Sequence, residues 1–154
     1  MVCLGMVSAL RAEPDIVSDD PVQEVKCEMH DDRFGEVIVK LKTDRFVPKK
    51  HRVTRKNGFG YIDGRRVIGT DGGVRPFMEF VRFEIFWNGK RVPVAHEVFA
   101  PIYNAHLNDV TLAVSDRGDA VLIGFVCGDA TLQGVWLTIR KDGEWHRFTS
   151  EVRS

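Results

Sequence analysis

The chain has 154 residues, 44% of them apolar, and its 22 Lys plus Arg balance its 22 Asp plus Glu. That length supports one hydrophobic core, and that composition excludes a disordered chain. Zero net charge makes nucleic acid an unlikely partner, and no apolar run approaches the roughly 20 residues of a membrane-spanning helix.

Residues 1–12, MVCLGMVSALRA, are apolar, end in small residues and run straight into Glu13-Pro14-Asp15. This reads as a secretory signal truncated at its basic end, and it predicts an exported, periplasmic or secreted protein. A short N-terminal strand or helix docked on the core is the alternative. Cys3 would leave with the signal. Cys27 and Cys127 then either form one bridge or sit apart as small buried hydrophobes.

Residues 13–34 are acidic, without clear periodicity, and read as a partly ordered lead-in to a single β domain over 35–154. Charge is distributed unevenly. Residues 13–36 carry nine acids against Lys26 and Arg33, whereas residues 45–66 carry eight bases against Asp63. Either the two segments neutralise each other, or the basic one faces an anionic partner.

From Gly35 onward the pattern is that of strands. Val37, Val39 and Leu41 alternate with Ile38, Lys40 and Lys42. Residues 44–58 are basic and turn-rich, with a short strand expected around 51–55. Asp63-Gly64 and Asn88-Gly89 each divide two short strands, as type I′ hairpins require. Residues 77–87 form the longest candidate, with Val81, Phe83, Ile85 and Trp87 on one face and Phe80 and Phe86 on the other. Pro93 ends the strand after Asn88-Gly89. Val98, Phe99 and Ile102 suit one short helix near 96–103, kept short by Pro101. Four more strands are expected at 110–115, 120–126, 135–140 and 144–148. The fold predicted is all-β, an antiparallel meander forming a β-sandwich or a partly open barrel.

Three stretches in order, GTDGG (69–73), WNGKRVPV (87–94) leading to IYN (102–104), and VWLTIRKDGEWHRF (135–148), resemble small exported bacterial β-rich proteins of unassigned function. The resemblance covers the C-terminal half and implies an exported β domain. It carries no activity, cofactor or catalytic residue with it.

No catalytic constellation and no cofactor motif stand out. His96-Glu97 begins like a zincin helix but lacks the second histidine of HExxH. His96 and His106 bracket Tyr103, and with Asp109 they are the candidates for a metal site or an acid–base pair. Otherwise they are histidines on a polar loop. Asp116 and Asp119 suit a turn, and the Arg117-Gly118-Asp119 string is too short to signal adhesion. The glycines at 69–73 fit a turn better than an anion cradle, since no lysine and helix follow. Trp87 and Trp136 fit the apolar stripes, while Trp145 is expected to point outward and to suit stacking on a sugar ring.

These features rank three readings. The first is a non-catalytic exported binding or interaction module for a protein or an anionic cell-envelope polysaccharide. Lys49, Lys50, Arg52, Arg55, Lys56 and Trp145 would make the contact. The second is a small hydrolase or metal-dependent enzyme built on His96, His106 and Asp109. The third is a structural or inhibitor-like domain presenting a loop at 69–76 or 127–133.

Overall fold

The computed structural model describes residues 21–70, 75–129 and 131–152. The predicted signal, and parts of the loops at 69–76 and 127–133, lie outside them. Among the described residues the chain forms β1 (Gln23–Asp31), β2 (Gly35–Arg45), β3 (Val53–Lys56), β4 (Phe59–Ile62), β5 (Arg65–Arg66) and β6 (Met78–Trp87). It continues through β7 (Lys90–Val92), β8 (Ala105–Val114), β9 (Ala120–Cys127), β10 (Gln133–Arg140) and β11 (Trp145–Glu151). Two four-stranded antiparallel sheets, β1-β2-β6-β7 and β11-β10-β9-β8, pack face to face, and β3, β4 and β5 make a third, smaller sheet. The fold is an all-β, sandwich-like one with no closed barrel. The expected short helix is a single 3-10 turn, His96–Val98.

Alternation decides which side chains enter the sandwich. Val37, Val39 and Leu41 of β2 face Val121, Ile123, Val135, Leu137 and Ile139 of β9 and β10, all fully buried or within 1% of it. Each such side chain contributes about 1.5–3 kcal/mol on burial. At one edge Leu107 of β8 donates its backbone N–H to the Gln23 side chain on β1 at 3.0 Å. At the other, Arg147 of β11 donates to the carbonyls of Glu97 and Val98 at 2.9 and 3.1 Å, fastening the 3-10 turn.

Both dipeptides predicted as turns have positive φ at both positions, 52° and 78° at Asp63-Gly64 and 50° and 76° at Asn88-Gly89. Asn88 also ties the end of the first sheet together. Its amide oxygen accepts from the Glu36 N–H at 2.8 Å and its nitrogen donates to the Phe34 carbonyl at 3.2 Å.

Several expectations are revised. Residues 23–31, read as lead-in, are a full strand paired with β2 from Gln23↔Thr43 to Asp31↔Gly35. Its inward residues Val25, Cys27 and Met29 alternate with Glu24, Lys26 and Glu28, the period-two pattern of a half-buried strand. Val81 is 51% exposed rather than inward, because the β2–β6 pairing shifts register opposite Lys42/Thr43. One extra residue there turns Phe80 into the inward row and Glu79 out of it.

The tryptophans also trade places. Trp87 is core, but Trp136 is 52% exposed, and Trp145 is half-buried against the core. Trp145 pairs across the sheet with Ile139, which is buried, whereas Trp136 pairs with exposed Phe148. The indole of Trp136 lies over Gly124 of β9, where a Cβ would collide with it. Cys27 and Cys127 are free thiols. Burial pushes the Cys127 thiol up to about 12, so it behaves as a small hydrophobe.

Candidate functional site

The small sheet attaches to the sandwich through the segment 102–104. Ile102 enters the main core, and Tyr103 joins Phe46 and Ile62 in a second buried cluster. Asn104 is 2% exposed, with φ of 54°. Its Oδ1 accepts from the N–H groups of Phe77 and Met78 at 2.8 and 3.1 Å, and its Nδ2 donates to the Gly69 carbonyl at 3.1 Å. Ile68 and Tyr103 complete the join through backbone hydrogen bonds, Ile68 N–H to Pro101 and Tyr103 N–H to Ile68.

His51 follows the 3-10 turn Pro48–Lys50 and stacks on Phe46, ring centroids 4.9 Å apart. Its Nδ1 is 2.7 Å from Asp63 Oδ2, and its Nε2 is 2.7 Å from Glu79 Oε2. Each ring nitrogen thus faces a carboxyl oxygen at hydrogen-bond distance. The trio joins the 3-10 turn, the β4–β5 turn and β6. The bulge at Val81 is what makes Glu79 available to it. The His51 hydrogen bond, then the Arg52 N–H, hold the Asp63 carboxyl below its ordinary value. Burial, then the charges of Glu79 and Asp63, push the Tyr103 phenol up, so it stays protonated and able to donate.

A cavity of about 210 Å³ opens beside this trio. Phe80 and Phe99 give it an apolar side, Lys50 and Arg65 bring positive charge, and Tyr103 and His96 also line it. Arg65 is paired with Glu97 at 3.1 Å.

The predicted cations are all exposed, Lys49 and Lys50 on the 3-10 turn, Arg55 and Lys56 on β3, and Arg52 between the two. Among the described residues none of the five has a carboxylate within ion-pair distance. The acidic segment is engaged elsewhere: Glu24 pairs with Lys42 and Arg82, Glu28 with Lys26, and Asp31 with Arg33. Among the described residues the two charge runs do not neutralise each other.

Register sorts the small sheet into two faces. Val53, Arg55, Ile62 and Arg65 share the face on which Ile62 is buried. Thr54, Lys56, Phe59, Tyr61 and Arg66 share the other, where the Arg66 guanidinium lies 3.8 Å above the Phe59 ring.

Two of the proposed metal ligands take up separate hydrogen-bonding or surface roles. His106 donates from Nε2 to the Gly128 carbonyl at 2.8 Å, and Asp109 is exposed where the β8–β9 register breaks. His96 borders the cavity. Among the described residues no group of three His, Cys, Asp or Glu is placed to hold a metal ion. Trp145, named as a sugar-stacking residue, is half-buried under Arg147. Asp119 holds its turn by accepting from Ser115, which lowers its carboxyl.

Sequence reasoning passed over Asp63, Glu79 and Tyr103 as site residues. Asp63 was accounted for as a turn residue, and the other two lie on separate segments that only the fold brings to His51. No family model, no curated protein and no solved structure matches the chain.

Proposed function

We propose that this protein is an exported, non-catalytic binding module for an anionic polysaccharide, with the small sheet as its contact surface. The observation that carries this reading is the exposed set Lys49, Lys50, Arg52, Arg55 and Lys56, none of which has a carboxylate within ion-pair distance among the described residues. Exposed cations of this kind are available to carboxylates or sulfates of a ligand at little desolvation cost.

A polysaccharide fits better than a nucleic acid on two grounds. The whole chain carries no net charge. Asp63, Glu79 and Glu97 also stand beside the cations, where they can accept hydrogen bonds from sugar hydroxyls. Phe59 and Tyr61 add apolar rings to the face that carries Lys56 and Arg66. Export rests on the sequence pattern of residues 1–12.

The test is retention on immobilised polygalacturonate, with dextran and single-stranded DNA as controls. Replacing all five cations by Gln changes only exposed side chains, so the fold is retained. We expect the native protein to bind polygalacturonate and not dextran, and the fivefold variant to lose roughly tenfold or more in affinity. Equal binding by the variant, or stronger binding to DNA, refutes the reading.

A further inference from the structure

The cavity beside His51 has no part in the charge argument, yet it opens next to the same cations. We propose that it is the subsite for a single acidic sugar residue, the end or a side branch of the polymer. The inference rests on the proposed binding function and names the ligand class more narrowly.

Three sets of groups recommend it. At about 210 Å³ the space is smaller than the roughly 300 Å³ at which pockets for drug-sized molecules begin, so it suits one ring rather than a chain. Phe80 and Phe99 present aromatic surface, which packs against the C–H face of a sugar. Around them stand both donors and acceptors, as vicinal hydroxyls require. Glu79 uses Oε2 on His51, and its Oε1 has no partner among the described residues. Tyr103 also lines the cavity, and among the described residues no hydrogen bond engages its hydroxyl. Lys50, which has no carboxylate within ion-pair distance among the described residues, supplies the positive charge a carboxylated sugar would meet, while Arg65 is held by Glu97.

The arrangement also explains why His51 is held on both sides. Two carboxylates gathered in one cavity repel each other, and the His51 ring between them, with the Arg52 N–H on Asp63 Oδ1, keeps both in place while leaving Glu79 Oε1 for a ligand. Preorganised acceptors of this kind lower the cost of ordering on binding.

The experiment is a titration of the full chain with D-galacturonate, D-galactose and acetate, followed by backbone amide resonances. Galacturonate should shift Phe99, Ala100 and Tyr103 saturably, and bind at least about tenfold more tightly than galactose or acetate. Tyr103→Phe, which removes one hydroxyl and leaves the ring packed on Phe46, should weaken galacturonate about fivefold. The subsite is overturned if galacturonate moves only the resonances of residues 49–56, as acetate does, or if Tyr103→Phe binds it as well as the native chain. If polygalacturonate still binds in that case, the subsite alone fails. If the free sugar fills the cavity but the polymer does not bind, the basic sheet is the part that fails.

Discussion

Between the two large sheets, Val37, Val39, Ile85, Val121, Ile123, Val135 and Ile139 are completely buried, and they belong to four different strands. Beneath the small sheet only Phe46, Ile62 and Tyr103 are buried, with Val67 packed against them. Aliphatic packing fixes the first region. The second is fixed by that small cluster, the Asn104 hydrogen bonds and the His51 trio. Apolar burial is insensitive to charge and largely to pH, whereas the polar clasp responds to both. The division suits a rigid frame that carries a charged limb.

Breaking the frame should have the largest effect. Leu137→Ala, at a site 1% exposed, should destabilise the protein by about 2–5 kcal/mol in urea unfolding. A loss below about 1 kcal/mol would remove the claim that the sandwich dominates stability. Breaking the join should come next. Asn104→Ala leaves the N–H groups of Phe77 and Met78 and the Gly69 carbonyl unpaired, and it puts Ala at a positive φ. A loss of about 2–3 kcal/mol is expected, with the amides of Phe77 and Met78 exchanging faster with solvent.

Hydrogen exchange sharpens the comparison without mutation. Amides in β9 and β10 should exchange only through global unfolding, while those of β3 and β4 should exchange through a smaller opening. Equal protection in both regions would contradict the division.

The smallest effect is a pH dependence. The His51 hydrogen bond holds the Asp63 carboxyl below its ordinary value, so the unfolded chain binds that proton more readily. The contribution is therefore fully present above the unfolded carboxylate value of about 3.9 and is lost as pH falls through the lower folded one. Asp63→Asn should lower Tm slightly at pH 6, and the difference should shrink toward pH 3. A gap that widens on acidification would reverse the assigned sign.

Much of this frame is readable from local pattern. Val37, Val39 and Leu41, the two turn dipeptides, and the short turn near His96 follow from period and turn chemistry alone. Misreadings arise where local pattern and register part. Trp136 sits out of phase with Val135, Leu137 and Ile139, and that parity alone places it outside. Val81 belongs to the inward row by spacing until the extra residue in β6 shifts the row. In β1 the alternation of Val25, Cys27 and Met29 with charged residues is itself a strand signal, outweighed by the acidity of the longer segment around it. The site is least legible, because His51, Asp63 and Glu79 come from three segments and meet only after the small sheet folds back on β6. The five cations could be named because their charge is a property of composition, which needs no contact map.

The most direct measurement is the affinity of the native protein for polygalacturonate as a function of salt. If unpaired cations of the small sheet carry the interaction, affinity falls at least about tenfold between roughly 0.05 and 0.2 M salt, as counter-ions compete for the same charges. Affinity that is unchanged over that range would assign binding to the aromatic and apolar surface instead and contradict the account.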